Sequence, residues 1–199
     1  KNQKFFQFGR SISFYIASPI NSNIEDFGEE TFIKREFMLS NQILHLSRIE
    51  IIMSPDFSSF MKVKMISPVT MYSTLTNHDS KKIVHYYNPN EEMFSKLVEK
   101  NIKKKFELVH KKNAENLAFY IKPLLFSFHR NRKVVFMKDN PIECWTGVYA
   151  LYGDPELIRM SYEAGLGCKN SIGMGMWDIW ESKYQSEERS SEKNDSICL

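Results

Sequence analysis

The sequence predicts an α+β fold of tandem ferredoxin-like βαββαβ domains, the first of them incomplete. Three observations predict this class. Apolar and polar residues alternate over several short segments, which is typical of half-buried strands. Residues 90–109 carry an apolar stripe at helical spacing, and a second helix begins at Asp154-Pro155. From about residue 60 onward the order is strand, helix, strand, strand, helix, strand, which is the ferredoxin-like arrangement.

Composition narrows the class of protein further. The 199 residues are 42% hydrophobic and 14% aromatic, which is enough to build a core. No apolar run approaches the roughly 18–20 residues of a membrane span. Cysteines at three widely spaced positions indicate neither a disulfide framework nor a zinc site. We therefore expect a cytoplasmic protein that needs no membrane, metal ion or cofactor.

Only strands are predicted for residues 1–59, which we assign to a partial N-terminal domain. The chain opens within a predicted strand, residues 4–19, and an acidic turn follows at residues 21–30. Further strands are predicted at residues 31–39 and 43–52. Because the chain begins inside a strand, we expect a preceding strand and helix of this domain to lie outside the sequence.

Residues 60–182 form the predicted C-terminal domain. Its first strand contains Ser67-Pro68, which predicts a bulge or an edge position. Asn90 is the predicted N-cap of the long helix, and Gly165 ends the second helix in a left-handed conformation. Polar residues 183–199 are predicted to be a disordered tail. The predicted strands of this domain cover residues 60–75, 116–128, 132–137, 142–153 and 175–180.

A glycine-rich loop joins the second helix to the last strand. Four of the eight glycines lie within residues 165–175, around Lys169-Asn170. Dinucleotide and nucleoside-triphosphate loops follow a strand and open a helix, whereas this loop follows a helix, whose C-terminus repels anions. Glycine amides can approach a ligand closely, and a lysine beside them suits a ribose-phosphate backbone. A tight, closely packed turn is the equally weighted alternative.

Positive charge is concentrated in two clusters, although the net charge is only +3. One cluster comprises Lys103, Lys104, Lys105, Lys111 and Lys112, and the other is residues 129–133, "HRNRK". Either cluster alone reads most simply as solvated surface. Together with the glycine-rich loop they favour a polyanionic partner.

Several segments also resemble a known family. The stretch "YEAGLGCKNSIGMGMWDI" resembles the C-terminal glycine-rich motif of the repeat-associated RNA-binding superfamily, whose domains are RRM-like. Over roughly residues 4–180 the chain is similar to CRISPR-associated endoribonucleases that process precursor CRISPR RNA. Further segments that carry this resemblance are "FFQFGR", "MISPVTMY", "FSKLVEKNIKKKFE" and "GVYALYGDPELIRMSYEAGLG".

The resemblance implies an enzyme of antiviral defence that cleaves within CRISPR repeat RNA without a metal ion. A ribose 2′-hydroxyl attacks its own phosphate, leaving a 2′,3′-cyclic phosphate and a 5′-hydroxyl. The family's principal catalytic histidine precedes the first strand of this chain, so the catalytic residues here are unknown. A non-catalytic RNA-binding subunit and a small-molecule enzyme with a deep apolar pocket remain alternatives. Homodimerisation and binding to other CRISPR effector-complex proteins stay open.

We expect Lys169 and the glycine-rich loop to be the strongest candidates for contact with RNA, followed by the basic cluster at residues 129–133. Lys103–Lys105 are the weakest candidates, because a helix behind the sheet points away from RNA. Tyr86, Tyr87 and Trp177 are candidates for base stacking, although core packing is the favoured interpretation. The predicted RNA-binding residues are Gly165, Gly167, Lys169, Asn170, Ser171, Gly173, Gly175, His129, Arg130, Arg132 and Lys133.

Overall fold

The computed structural model describes residues 9–39, 41–76, 80 and 82–180, which divide into two compact units between Ile51 and Ile52. We call these the N-terminal and the C-terminal unit. None of the helices in the described part of the chain is both long and apolar enough to cross a membrane. The predicted domain limits at residues 59/60 and 182, and the tandem arrangement, stay predictions. The tail predicted at residues 183–199 lies outside the described residues.

The N-terminal unit contains helix α1 (Asn21–Lys34) and an antiparallel hairpin of β1 (Glu36–Leu39) and β2 (Gln42–His45). The prediction of an acidic turn followed by a strand at residue 31 is therefore wrong. The acidic run and Gly28 favoured a turn, but Lys34 pairs with Glu30 one helical turn away and the ring of Phe27 stacks on Phe37 of β1. Helix α1 thus carries an exposed ion pair and one aromatic contact with β1.

The strands predicted at either end of this unit are shorter or missing. Residues 9–19, the described part of the first predicted strand, form no strand. The strand predicted at residues 43–52 ends at His45. Alternation over these segments was therefore not sufficient to define strands, because a strand also needs a partner.

The C-terminal unit is built around a four-stranded antiparallel sheet with the order β10-β3-β9-β6. In chain order these strands are the fourth, first, third and second of a βαββαβ fold, so the ferredoxin-like prediction is confirmed for this unit. The strands are β3 (Phe60–Met65), β6 (Phe119–Pro123), β9 (Val148–Gly153) and β10 (Trp177–Ile179).

Two hairpins are inserted into this fold. One joins β4 (Tyr72–Thr76) to β5 (Lys82–Tyr86), and the other joins β7 (Arg132–Met137) to β8 (Asn140–Trp145). Two of the predicted strands are therefore each two strands in different sheets. Pro68, between β3 and β4, has no N–H to donate to a continuous strand ladder. Gly147, between β8 and β9, turns the chain at φ +130°.

The two helices of the fold lie on one face of the sheet. Helix α2 (Glu92–His110) packs against β6, and α4 (Pro155–Ala164) packs against β9 and α2. The apolar stripe of α2 is buried as predicted, and each such side chain contributes about 1.5–3 kcal/mol. The buried residues of the stripe are Phe94, Val98, Ile102 and Phe106.

Helix ends differ in detail from the prediction. Helix α2 follows Glu91 rather than Asn90, and the Glu91 carboxylate accepts a hydrogen bond from the Asn88 amide at 2.8 Å. Helix α4 begins at Pro155 after Asp154, as predicted. Gly165 ends it at φ +77° and ψ 151°, which is a positive φ but not the predicted left-handed helical conformation.

The strands of the sheet alternate between a buried and an exposed face. In β3, Met61, Val63 and Met65 lie beneath the helices, and Phe60, Lys62 and Lys64 are exposed on the opposite side. We call this opposite side the outer face of the sheet.

Candidate nucleic-acid interface

A short segment after β3, residues 67–70, connects the glycine-rich loop to the β7–β8 hairpin. Its proline interrupts β3, and its remaining polar groups bond on both sides. On the loop side it accepts hydrogen bonds from the amides of Cys168, Gly175 and Met176 at 2.8–3.0 Å. On the hairpin side Val69 and Trp145 exchange amide-to-carbonyl bonds of 2.9 and 2.8 Å. The segment "SPVT" therefore holds the loop in place.

Three of the loop glycines are required by close packing. Gly165, Gly167 and Gly175 all have positive φ, between +68° and +84°. A Cβ on Gly175 would stand 2.0 Å from the Leu166 carbonyl oxygen, and one on Gly167 would stand 2.4 Å from that of Thr70. A side chain at Gly167 or Gly175 would collide with backbone, and one at Gly165 would collide with the Asn170 side chain, 2.6 Å away. The concentration of glycine thus has a structural cause, as the alternative interpretation proposed.

Lys105 of α2 organises the same loop from behind. Its Nζ donates hydrogen bonds to the carbonyl oxygens of Gly165 and Gly167, at 2.7 and 3.0 Å, and to Asn170 Oδ1, at 2.8 Å. Three acceptors match the three N–H groups of an ammonium. The ammonium charge also offsets the partial negative charge of the carbonyl groups at the C-terminus of α4.

The side chain of Asn170 closes the loop across its base. Its Nδ2 donates to the carbonyl oxygens of Leu166 and Met174, at 3.0 and 2.9 Å. Both ends of the amide are therefore used within the protein. The side chain is therefore an internal brace, and a contact of Asn170 with RNA stays a prediction.

Burial changes the pKa values of two side chains at the loop. The pKa of the partly buried Lys105 falls from an ordinary value near 10.5 to about 8, because burial disfavours the charged form. Burial likewise raises the pKa of the Cys168 thiol, and the nearby Lys105 only partly opposes this. Cys168 therefore stays a thiol at neutral pH.

The outer edge of the loop differs from its base. Ser171 and Gly173 are exposed, and a Cβ on Gly173 would meet nothing within 4 Å. Among the described residues, the amides of residues 169–171 have no backbone or side-chain acceptor. Lys169 is left-handed at φ 60°, and the turn of 3-10 helix Asn170–Ile172 follows it. Consecutive amides in such a turn form an anion-binding concavity.

The Lys169 side chain lies over an aromatic ring. Its Nζ is 5.2 Å from the ring centroid of Tyr72 in β4. In the described part of the chain it forms no salt bridge. A lysine placed this way keeps its charge available to a ligand while the ring holds its direction.

The two hairpins and the loop form one continuous surface. Met174 of the loop packs with Ile142 and Cys144 of β8 and with Tyr86 of β5. The Tyr86 hydroxyl donates to the Pro141 carbonyl oxygen at 3.3 Å. Both hairpins therefore contact the loop through Met174.

Of the four basic side chains in the second basic cluster, residues 129–133, one forms a salt bridge and three form none with any described residue. His129 and Arg130 lie in the short helix α3 (Phe128–Asn131), and Arg132 and Lys133 begin β7; all four are exposed. The Arg132 guanidinium pairs with Glu143 of β8, which raises its pKa, and it also lies 5.7 Å from the Phe128 ring. Arg130 and Lys133 form no salt bridge with any described residue.

The aromatic candidates for base stacking are packed instead. Trp177 is 1% exposed, and its indole N–H donates to the Ser161 carbonyl oxygen at 3.0 Å. Tyr86 and Tyr87 are half-buried. Core packing, the favoured interpretation, is therefore confirmed for Trp177.

Three of the described histidines contact residues that do not belong to the glycine-rich loop. His45 faces Glu36 in the β1–β2 hairpin, His85 stands 3.9 Å from Glu91, and the His110 ring packs on Phe106. His78 lies outside the described residues. Within the described ranges no group of three His, Cys, Asp or Glu side chains is placed to hold a metal ion.

Sequence reasoning missed the part played by Lys105. It ranked the lysines of α2 lowest because the helix lies behind the sheet. Lys103, Lys104 and Lys105 in fact have three different environments: Lys103 bonds Glu99 and the Glu115 carbonyl oxygen, Lys104 is exposed, and Lys105 braces the loop. The signal was present, because position 105 shares a helical face with the buried Val98 and Ile102.

The fold and the glycine-rich loop together define a class of protein. The family "CRISPR associated protein Cas6, C-terminal" matches residues 52–179, which is most of the chain and includes the whole loop. The chain therefore belongs to the Cas6 family, and the resemblance noted in the sequence is confirmed.

Particular relatives extend the likeness beyond this match. The CRISPR-associated endoribonuclease Cas6 1 of Methanocaldococcus jannaschii is 29% identical over 175 residues, which are 88% of this chain and 66% of that protein. The chain thus spans 66% of the length of this curated relative. The CRISPR-associated endoribonuclease Cas6 of Pyrococcus furiosus is 39% identical over 49 residues, which are 25% of this chain and 19% of that protein.

Solved structures show the same fold. A CRISPR associated protein Cas6 superposes with a TM-score of 0.71 at 27% identity, covering 83% of this chain and 66% of the other. A Cas6-related protein from Pyrococcus furiosus gives 0.72 at 21% identity, over 84% of this chain and 67% of the other. A RAMP protein described as binding different RNA substrates gives 0.70 at 20% identity, over 83% and 67%. The last two likenesses support the fold alone.

Proposed function

We propose that this chain is part of an endoribonuclease that processes precursor CRISPR RNA by cleaving within the repeat. The observation that carries the proposal is the family match over residues 52–179, together with a relative named as an endoribonuclease that aligns with 88% of the chain. The exposed edge of the glycine-rich loop, with its unpaired amides and Lys169, supports RNA as the substrate.

In the proposed complex the loop edge binds a phosphate of the repeat. The amides of residues 169–171 supply partial positive charge, and the Lys169 ammonium supplies a full one. Gly165, Gly167 and Gly175 act indirectly, because their packing and Lys105 define the curvature of the loop. Arg130 and Lys133 of the basic cluster at residues 129–133 add positive charge. Arg132 is already neutralised by Glu143.

The proposed chemistry is attack of the ribose 2′-hydroxyl on the adjacent phosphate. The O2′–P bond forms as the P–O5′ bond breaks, which leaves a 2′,3′-cyclic phosphate and a 5′-hydroxyl. This reaction needs a group to accept the 2′-hydroxyl proton, a group to protonate the leaving oxygen, and cationic stabilisation of the phosphorane. The loop edge is suited to binding and charge stabilisation, whereas no described histidine is assigned the proton transfers.

The ends of the product test the proposal. The full-length protein is incubated with labelled repeat RNA in excess EDTA, and the new ends are analysed with polynucleotide kinase and phosphatase. We expect cleavage at one position, a 5′ end that kinase labels directly, and a 3′ end that resists phosphatase until acid opens the cyclic phosphate.

Two outcomes would contradict this. Cleavage that requires Mg²⁺ and leaves a 3′-hydroxyl would replace the proposed mechanism with a metal-dependent one. Tight binding of repeat RNA with no cleavage would instead identify a non-catalytic RNA-binding subunit.

A further inference from the structure

The β7–β8 hairpin leaves one edge of β7 without a strand beside it. Among the described strands β7 pairs with β8 alone, in a register that sets Val134 opposite Glu143 and Phe136 opposite Pro141. Residues 138–139 form the tight loop between the strands, and both have a positive φ. We call the side of β7 that faces away from β8 its free edge.

The hydrogen bonds of β8 show which of its residues bond away from β7. Pro141 has no N–H to offer β7. The Glu143 carbonyl oxygen accepts a hydrogen bond from the Thr70 hydroxyl at 2.7 Å. Trp145 exchanges its backbone bonds with Val69, at 2.8 and 2.9 Å. Since residues of an antiparallel pair bond alternately toward and away from each other, these three positions are the non-hydrogen-bonded ones of the hairpin.

The β7 residues opposite these positions therefore direct their main-chain groups to the free edge. These residues are Arg132, Val134 and Phe136. The Arg132 N–H donates to the Phe128 carbonyl oxygen. The N–H and C=O groups of Val134 and Phe136 have no protein partner among the described residues. The free edge thus presents two donors and two acceptors that alternate along the strand.

The side chains along the same edge are apolar and exposed. Val134, Val135, Phe136 and Met137 are 41%, 39%, 71% and 40% exposed. Edge strands are usually blunted by a charge, a proline or a bulge, and none of these interrupts the four positions. An apolar edge with unpaired main-chain groups is a template for another strand.

The free edge is complementary to itself. When two copies are related by a two-fold axis beside Val135, Val134 of each copy lies opposite Phe136 of the other. The unpaired donors and acceptors of both copies then bond one another. An axis beside Val134 would need the N–H of Arg132, which α3 already uses, and an axis beside Phe136 would place Val134 opposite the loop at residues 138–139.

The groups at the edge favour a strand over RNA as the partner. Phosphate oxygens accept hydrogen bonds but cannot donate to the carbonyl groups of Val134 and Phe136, and they leave the apolar side chains in water. Charge does not oppose the pairing of two copies. Arg132 of one copy would lie opposite Lys138 of the other, but Glu143 pairs with Arg132 and Asp139 is adjacent to Lys138.

We propose that this chain forms a homodimer in which the free edge of β7 pairs antiparallel with the free edge of β7 in a second copy. The two hairpins then form one four-stranded sheet across the two-fold axis. The inference does not depend on the substrate under the proposed function.

Sedimentation velocity of the full chain over a concentration series tests the dimer. Val134→Pro removes an N–H from the free edge and leaves the hydrogen bonds between β7 and β8 in place. Phe136→Lys keeps the main chain but places an ammonium against Val134 of the other copy. Each should raise the dissociation constant of the dimer about 10-fold or more. Leu108→Lys, at a position of α2 that is 59% exposed, should dimerise as the wild type does.

A cysteine on the two-fold axis tests the register. In the proposed dimer the Val135 positions form a non-hydrogen-bonded pair with Cα atoms about 4.5 Å apart, within the range of a disulfide. Val135→Cys should therefore give a disulfide-linked dimer on mild oxidation, with the linked peptide identified by mass spectrometry. Leu108→Cys, equally accessible on α2, should stay unlinked.

Three outcomes would overturn the inference. They are a wild type that stays monomeric at every concentration, a dimer that neither Val134→Pro nor Phe136→Lys weakens, and a monomeric wild type whose two variants lose affinity for repeat RNA. Circular dichroism of both variants checks that the fold is retained, and Phe136→Lys keeps the test valid if the proline disturbs the hairpin. Cleavage of repeat RNA by the same proteins tests the proposed function separately.

Discussion

At the scale of single residues, Lys105 connects the core of the C-terminal unit to its candidate site. Burying an ammonium is unfavourable unless hydrogen bonds replace its water. Here two main-chain carbonyls and the Asn170 side chain replace that water. The same three bonds join α2 to residues 165–170 of the glycine-rich loop, so one side chain couples a core helix to a surface turn.

Replacing Lys105 by methionine should destabilise the protein. Methionine fills the space of the side-chain stem but leaves three acceptors without a donor, and we expect the free energy of unfolding to fall by about 2 kcal/mol. Urea unfolding followed by circular dichroism measures this. Lys104→Met is the matched control, because Lys104 is exposed one position earlier in the same helix. Equal effects of both variants would rule out the brace.

The stability that depends on Lys105 should vary with pH. Its pKa is lowered to about 8 in the folded protein and is near 10.5 in the unfolded chain. Between these values the unfolded chain binds more protons, so stability rises with pH, and below pH 8 the cost of burying the charge is fully present.

We therefore expect the wild type to gain about 2 kcal/mol relative to Lys105→Met between pH 7.5 and pH 9.5. Urea unfolding of both proteins at each pH measures the difference. A difference that stays constant with pH would mean that Lys105 titrates alike in both states.

Substitution of Lys169 is the most direct test of the proposed function. Lys169→Ala should weaken binding of repeat RNA and reduce the slope of log affinity against log salt by about 1, because one phosphate contact is lost. Lys100→Ala, an exposed position on α2, should leave the slope unchanged. Affinity and slope equal to the wild type over a salt titration would exclude phosphate binding by Lys169.

At the scale of elements, the glycine-rich loop has a packed base and an exposed edge. The base is held by residues 67–70 and Lys105, and the edge carries Lys169, Ser171 and Gly173. Glycine is therefore required for two different reasons within eleven residues. At the base it avoids collisions with backbone, whereas at the edge it only allows a positive φ.

Two alanine substitutions separate these reasons. Gly173→Ala meets open space at φ +86° and should cost about 1 kcal/mol of backbone strain. Gly175→Ala has a similar φ of +84° but would place its Cβ 2.0 Å from a carbonyl oxygen, so we expect a loss of about 3 kcal/mol or more. Thermal or urea unfolding of the two variants compares them directly, and equal losses would contradict the packed base.

At the scale of the whole molecule, the buried core belongs to the C-terminal unit. The buried hydrophobic residues of the main cluster all lie between Met61 and Trp177, and within the described N-terminal unit only Thr31 is buried. Stability should therefore be unevenly distributed along the chain.

Hydrogen exchange should show this distribution. We expect the slowest amide exchange in β3 and β9, the two central strands of the four-stranded sheet, and faster exchange in β1 and β2. Mass spectrometry of the intact protein after deuterium labelling measures both regions in one sample. Protection in the β1–β2 hairpin equal to that in β9 would show that the two units unfold together.

Local patterns in the sequence determined the helices of the C-terminal unit and the order of its fold. The stripe from Phe94 to Phe106 and the Asp154-Pro155 start depend on neighbours within a few residues, so they can be recognised without tertiary structure. The glycine motif indicated the superfamily, and the other segments that resemble the family were needed to identify the family itself.

Only the tertiary structure decided which strands pair, that residues 21–34 form a helix, and which lysine braces the loop. The strand pairing and the brace depend on contacts between residues far apart in the chain: Lys105 meets Gly165 sixty positions away, and Phe60 meets Tyr152 only because β3 and β9 are neighbours in the sheet. Local periodicity cannot encode such contacts, since their free energy exists only once the chain has brought the two elements together.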